Sequence, residues 1–172
     1  MDTTFHTKEG VFNYRVCGII INNNKLLVTK DNYSPYYYLP GGRLNLHESA
    51  NDAIIREMNE ELDITISPIR PLWLNESFYI EEQNNKRYHE ICIYYLVDYS
   101  NSNLLARGNK FTKQEGDKTL FFEWIDFSKL KDMYIYPNFI KTEIFNLPSE
   151  LKFITEIRNK IRETNYNKSI IK

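Results

Sequence analysis

Cysteine, histidine and an excess of positive charge are what this chain of 172 residues has little of. Two cysteines and three histidines offer no CxxC or Cys/His spacing, so a zinc site of the usual kinds is excluded. Cys17 and Cys92 each lie in an apolar run, Val16 to Ile21 and Ile91 to Val97, and read as buried, reduced thiols. A net charge of −1 argues against a broad nucleic-acid surface, which needs surplus Lys and Arg, but leaves room for a small nucleotide site. No stretch approaches the ~20 apolar residues of a membrane span. The opening residues MDTTFHTKEG carry no apolar core of a signal peptide, so a cytoplasmic location is expected by default. There is no internal repeat and no low-complexity linker.

What remains is an ordinary globular balance, 42% hydrophobic and 26% charged, at a length that suits one domain over residues 1–172 with its own core. Val11 to Ile21 reads as a strand, Asn22-Asn23-Asn24 as a turn and Lys25 to Thr29 as the returning strand of a hairpin. A polar, tyrosine-rich segment runs from Asp31, and Leu39-Pro40-Gly41-Gly42 is a strand end entering a glycine loop. From Ser49 to Leu62 the period becomes helical. Ala50, Ile54, Met58 and Leu62 form one apolar stripe, Ser49 is a good N-cap, and Asp52 suggests something close to a capping box. Strands are expected over Leu72 to Ile80, Tyr88 to Tyr99 (central in its sheet) and Leu120 to Ile125. Asn101 to Lys118 reads as a polar loop. The remainder reads as helices broken near Pro137 and Pro148, ending in an amphipathic helix from about Ser149 to Arg162 that packs on its own domain. Interleaved strands and helices give an α/β layered fold.

The helix after Ser49 carries Glu57, Glu60 and Glu61. Carboxylates at i, i+3 and i+4 share a face and repel, which destabilises a helix by a few tenths of a kcal/mol (roughly). The apolar stripe is expected on the opposite side. A bound divalent cation gives such a cluster a purpose, and hard oxygen donors without Cys or His favour Mg²⁺ or Mn²⁺. Three glutamates alone would more often be a solvated helix face, so the surrounding letters decide.

The segment GRLNLHESANDAIIREMNEELDI, Gly42 to Ile64, resembles the Nudix hydrolase signature G-x5-E-x7-R-E-U-x-E-E-x-G-U, in which U is a bulky apolar residue. Gly42, Glu48, Arg56, Glu57, Glu60 and Glu61 fall on its fixed letters, with Met58 and Ile64 on the apolar ones. The departure is Asp63, where the family has a glycine. That glycine ends the helix in the left-handed region, which Asp enters more readily than most residues.

The resemblance implies an α/β/α sandwich with a mixed sheet and a catalytic loop–helix–loop. It implies metal ligation by Glu57, Glu60 and Glu61 with a backbone carbonyl of Gly41 or Gly42, and an orienting role for Gly42, Glu48 and Arg56. It also implies hydrolysis of a diphosphate linkage in a small-molecule nucleotide. The general base is expected at Glu57, at Glu61 or, from the long loop, at Glu115; Asp117 and Glu123 are weaker candidates. His89 reads as structural. Tyr33, Tyr36, Tyr37 and Tyr38 serve packing or base stacking. Two alternatives stand beside the hydrolase: a nucleotide-binding module of the same fold without catalysis, and an RNA-end processing enzyme, which would want a more basic surface.

Overall fold

A computed structural model describes residues 1–158 of the chain. Two sheets organise it. The larger has the strand order β1-β2-β7-β6-β10, built from β1 (Thr4–His6), β2 (Val11–Ile19), β6 (Ser67–Ile80), β7 (Arg87–Asp98) and β10 (Lys152–Ile157). Strand β5 (Gly41–Arg43) joins it antiparallel to β2, beyond the stretch taken by β1. The sheet is mixed: β7 runs parallel to β2 and antiparallel to β6, and β10 is parallel to β6. The smaller sheet has the order β3-β4-β9-β8, from β3 (Ile21–Asn22), β4 (Lys25–Asp31), β8 (Lys110–Glu115) and β9 (Lys118–Asp126). Asn23 and Asn24 take positive φ at 47° and 61°, the turn that a tight β3–β4 hairpin requires.

Alternation along β2 separates two cores. Val16 and Ile20 face helix α1 (Ala50–Leu62), together with Tyr95, Val97, Phe122 and Trp124. Cys17 and Ile19 face the other way, onto Trp73, Cys92, Tyr94 and the short helical segments Phe127–Asp132 and α2 (Ile140–Glu143). Both cysteines are buried free thiols, their sulfurs 3.6 Å apart. The architecture is the expected α/β fold with a mixed sheet. Among the described residues no helix is long and apolar enough to cross a membrane.

Helix α1 begins where the sequence says it should. Ser49 is extended (φ −74°, ψ 153°), and its Oγ accepts the Asp52 N–H at 3.1 Å. The reciprocal half of a capping box is not made. The Asp52 carboxylate accepts the Ser49 hydroxyl at 2.7 Å instead, the short aspartate side chain being spent on the hydroxyl rather than on the Ser49 backbone. Ile54, Met58 and Leu62 are fully buried, each contributing about 1.5–3 kcal/mol of apolar burial. The helix stops at Asp63, left-handed at φ 50°, ψ 40°.

Two expectations from sequence are corrected. Asn101 to Lys118 is not a loop throughout: it holds a 3-10 turn at Leu104–Arg107 and strand β8, paired along its length with β9. With Phe111 the one apolar residue among six, packed on the core, β8 lacks the apolar alternation that identifies a strand. The expected C-terminal helix is strand β10, with each residue from Lys152 to Ile157 paired to β6; the rest of that stretch, residues 159–162, lies outside the described residues. Its apolar spacing suits a helix, but β6 offers an open edge and sheet pairing overrides local period.

Candidate functional site

Glu57 and Glu61 lie on the ridge of α1 next to Ile54 and Met58, not opposite to it. They are only 8% and 7% exposed. The expectation that all three glutamates oppose the apolar stripe is therefore corrected. At 100° per residue, positions 57 and 61 border the 54–58–62 row, and only Glu60, half-exposed at its side chain, turns outward.

The two buried carboxylates face the backbone of β5. Glu61 accepts the Gly41 N–H at 2.9 Å. The Glu57 carboxylate sits where a Cβ on Gly42 would be, within 2.3–2.4 Å of that position, so only glycine leaves room for the carboxylate in this place. Burial pushes both carboxyls above the usual glutamate range; the Gly41 amide opposes this at Glu61, and Arg56 opposes it at Glu57.

Arg56 joins the signature residues to one another. Its Nε and Nη2 each donate to Glu48 at 2.8 Å, and Nη2 also donates to the Arg43 carbonyl at 2.9 Å. Its Nη1 donates to Glu57 at 2.7 Å and to Glu60 at 3.0 Å. Glu48 in turn accepts the Asn45 N–H at 2.8 Å, fixing the loop that leads into the helix. Among the described residues no three acidic or imidazole groups converge tightly enough to form a ready cage for a metal. The donor chemistry nevertheless suits a hard divalent cation. Oxygens of Glu57 and Glu60 already meet at one cationic atom of Arg56, and Glu61 adds a third, buried carboxylate beside the Gly41 backbone.

These groups form one end of a cleft of about 450 Å³. Its floor is the β2–β7–β6 face, where the inward positions are polar: Arg15 on β2, Glu90 on β7, and Asn75, Ser77 and Tyr79 on β6. Arg15 donates to the Gly41 carbonyl at 3.0 Å. Burial would lower its pKa, but Glu90 together with Cys17, Cys92 and Tyr79 outweighs that and keeps it above the usual arginine value. Glu90 accepts from Tyr79 at 3.1 Å and from Asn13 at 3.3 Å. At the far end stand Tyr36, Tyr136 and Arg158.

Among the other candidates, Glu115 ends β8 and lines the cleft, as do Tyr36 and Tyr38. Tyr33 is exposed, and Tyr37 lies beneath the Lys30 ammonium and donates to Glu123 at 3.3 Å. Glu123 also pairs with Lys110 at 2.8 Å. Glu123 and Asp117 are absent from the lining, as is His89, which bonds Glu76 at 2.9 Å. Sequence reasoning missed Arg15, Asn75, Tyr79, Glu90 and Arg158. For Arg15, Asn75, Tyr79 and Glu90 a signal was available, polar residues at the inward, every-second positions of otherwise apolar strands, while Arg158, past the end of β10, offered none.

Comparison with known proteins bears on the fold and the family. A protein named ADP-ribose pyrophosphatase from Methanocaldococcus jannaschii is 31% identical over 94 residues, 53% of either chain, so this chain spans about half the length of that relative. A MutT protein from Bacillus halodurans superposes with a TM-score of 0.58 at 15% identity, covering 88% of this chain and 93% of the other. A NUDIX hydrolase from Nitrosomonas europaea gives 0.52 at 15% identity, covering 77% and 86%. At such identities the likeness is one of fold. Residues 12–142, from the first long strand through the acidic helix to α2, match the NUDIX domain, and the chain belongs to the Nudix family.

Proposed function

We propose that this chain hydrolyses a diphosphate linkage in a nucleoside diphosphate derivative, with a divalent cation, Mg²⁺ or Mn²⁺, held by Glu57, Glu60, Glu61 and the Gly41 carbonyl. The observation that carries the reading is the pair of buried carboxylates, Glu57 and Glu61, pressed against the Gly41–Gly42 backbone at one end of a polar cleft. Two carboxylates kept out of water at such a cost imply a positively charged ligand. The cation would supply charge neutralisation at the phosphates and activation of the attacking water.

The remaining work falls to the chain itself. Arg15, held ionised on the cleft floor beside the Gly41 carbonyl, supports the phosphate charge. Arg56 and Glu48 orient the helix and its entry loop. Glu115, at the end of β8 on the cleft wall, would accept the proton of the attacking water. The name of the archaeal relative puts ADP-ribose among the substrates to try first.

The test is a hydrolysis screen with Mg²⁺ or Mn²⁺ over nucleoside triphosphates, ADP-ribose-like molecules and dinucleoside polyphosphates, with Glu60→Gln as control. Glu60→Gln is expected to stay folded and lose activity by about a hundredfold or more, the scale of removing a group that stabilises transition-state charge. Equal rates for variant and parent would remove Glu60 from catalysis. Tight binding without turnover by the parent would leave a nucleotide-binding module.

A further inference from the structure

The cleft end farthest from the carboxylates is built around Arg158. Its backbone N–H donates to the Phe78 carbonyl at 2.9 Å, continuing the β10–β6 pairing by one residue. The guanidinium carbon lies 4.0 Å from the centroid of Tyr79 and 4.2 Å from that of Tyr136, so both faces of the planar group are covered by aromatic rings. The side chain is 11% exposed, and its buried Nε has no hydrogen-bond partner among the described residues. The nearest carboxylate oxygen, on Glu156, is 4.0 Å away. A long, flexible side chain that lines the cleft is thus held, largely buried, between two aromatic rings.

We propose that Arg158 reads the base of the substrate and that the base is a 6-oxopurine. The inference rests on the hydrolase reading above for which end of the cleft holds the phosphates. Arg15 is level with Ile154 through Cys92 and Asn75, and Arg158 follows four residues on, so their backbones lie three strand spacings across and four residues along, about 20 Å apart, a gap that the two long side chains narrow from either end. A nucleoside diphosphate covers such a span from its phosphates to the outer edge of its base.

Chemistry selects the base. A guanidinium only donates, so its fork is satisfied by two adjacent acceptors. The O6/N7 edge of guanine or hypoxanthine presents that pair at the outer edge of the base, whereas adenine sets a donor beside N7, uracil sets N3–H between its two carbonyls, and cytosine pairs O2 with N3 but with O2 next to the glycosidic nitrogen, on the sugar side. A second phosphate would also offer adjacent acceptors. However, Glu156 lies 4.0 Å from this cation, and Glu81 and Glu82 line the same end of the cleft, a negative charge that favours a neutral acceptor edge.

The test compares GMP with AMP, which carry the same phosphate charge, by calorimetric binding to the parent, Arg158→Lys and Arg158→Met at fixed ionic strength. The parent is expected to prefer GMP by about tenfold or more, and both variants to lose the preference, because lysine keeps the charge and loses the fork. A parent without GMP preference overturns the proposal. So does Arg158→Lys retaining the preference, or Arg158→Met weakening GMP and AMP alike, which would mark an anion clamp. Hydrolysis of guanosine- and adenosine-diphosphate sugars separates the two readings. Turnover without base preference sinks the base assignment alone, and GMP preference without any turnover sinks the hydrolase alone.

Discussion

The carboxylate of Asp63 lies 2.7 Å from Nζ of Lys113, and the same ammonium donates to the carbonyl of Glu60, so the last turn of the acidic helix is tied to strand β8. Asp63 stands where the family signature has a glycine, and it holds the left-handed conformation that the glycine would hold. Its substitution has therefore traded backbone ease for a side-chain tether.

That trade predicts an order of stability. Asp63→Gly relieves the left-handed strain and loses the tether, so its melting temperature should stay close to that of the parent. Asp63→Ala keeps the strain and loses the tether, and should melt below both. The gap between parent and Asp63→Asn should narrow at high salt, because the pair is exposed. Thermal unfolding of the three variants checks this; Asp63→Ala melting with the parent would leave the tether without effect.

Much of the site was legible because the signature residues act locally. The spacing of Glu57, Glu60 and Glu61 and the cap at Ser49 are properties of one helix, and Gly42 lies only a short loop away. What escaped was assembled across strands. Ile154 and Glu156 on β10 and Arg158 just past its end form one inward row, in which Glu156 accepts the Phe139 N–H and Arg158 reaches the polar cleft. A strand with charges on its inner face lacks the period of a strand, so its apolar residues at 151, 154 and 157 suggested a helix instead. The functional surface itself broke the pattern from which strands are recognised.

Glu48 gives the site a pH signature. Hydrogen bonds from Arg56 are the main reason its carboxyl lies below the usual glutamate range, with the Asn45 amide adding to them. A depressed folded pKa stabilises the protein above the unfolded value of about 4.3, and that stability is lost as pH falls through the lower folded value. Glu48→Gln should cost about 1–2 kcal/mol at neutral pH, the scale of a hydrogen bond to a charged group. The gap to the parent should hold constant from pH 7 to about 5 and close below about 4. Urea unfolding across that range reads it directly, and a gap that widens on acidification would contradict the assignment.

Gly41 and Gly42 are adjacent, yet adding one methyl group to each should have different consequences. On Gly41, at φ 143°, a Cβ would lie 2.2 Å from the Val16 carbonyl oxygen and 2.7 Å from the Cys17 Cα; the obstacle is backbone in the middle of the sheet, which cannot yield. Gly41→Ala should therefore unfold the protein or destabilise it by several kcal/mol (roughly), through strain and overpacking together. On Gly42 the obstacle is the carboxylate of Glu57, the far end of a side chain with three rotatable bonds, which can swing aside. Gly42→Ala should stay folded with a melting temperature within a few degrees of the parent. It should nevertheless lose divalent-cation binding and hydrolysis about as severely as Glu57→Gln, because the methyl group takes the place of the displaced carboxylate. Circular dichroism melting and Mn²⁺ titration of the two alanine variants separate the cases. A folded Gly42→Ala that binds Mn²⁺ like the parent would show that the position of Glu57 against this strand is not what the site requires.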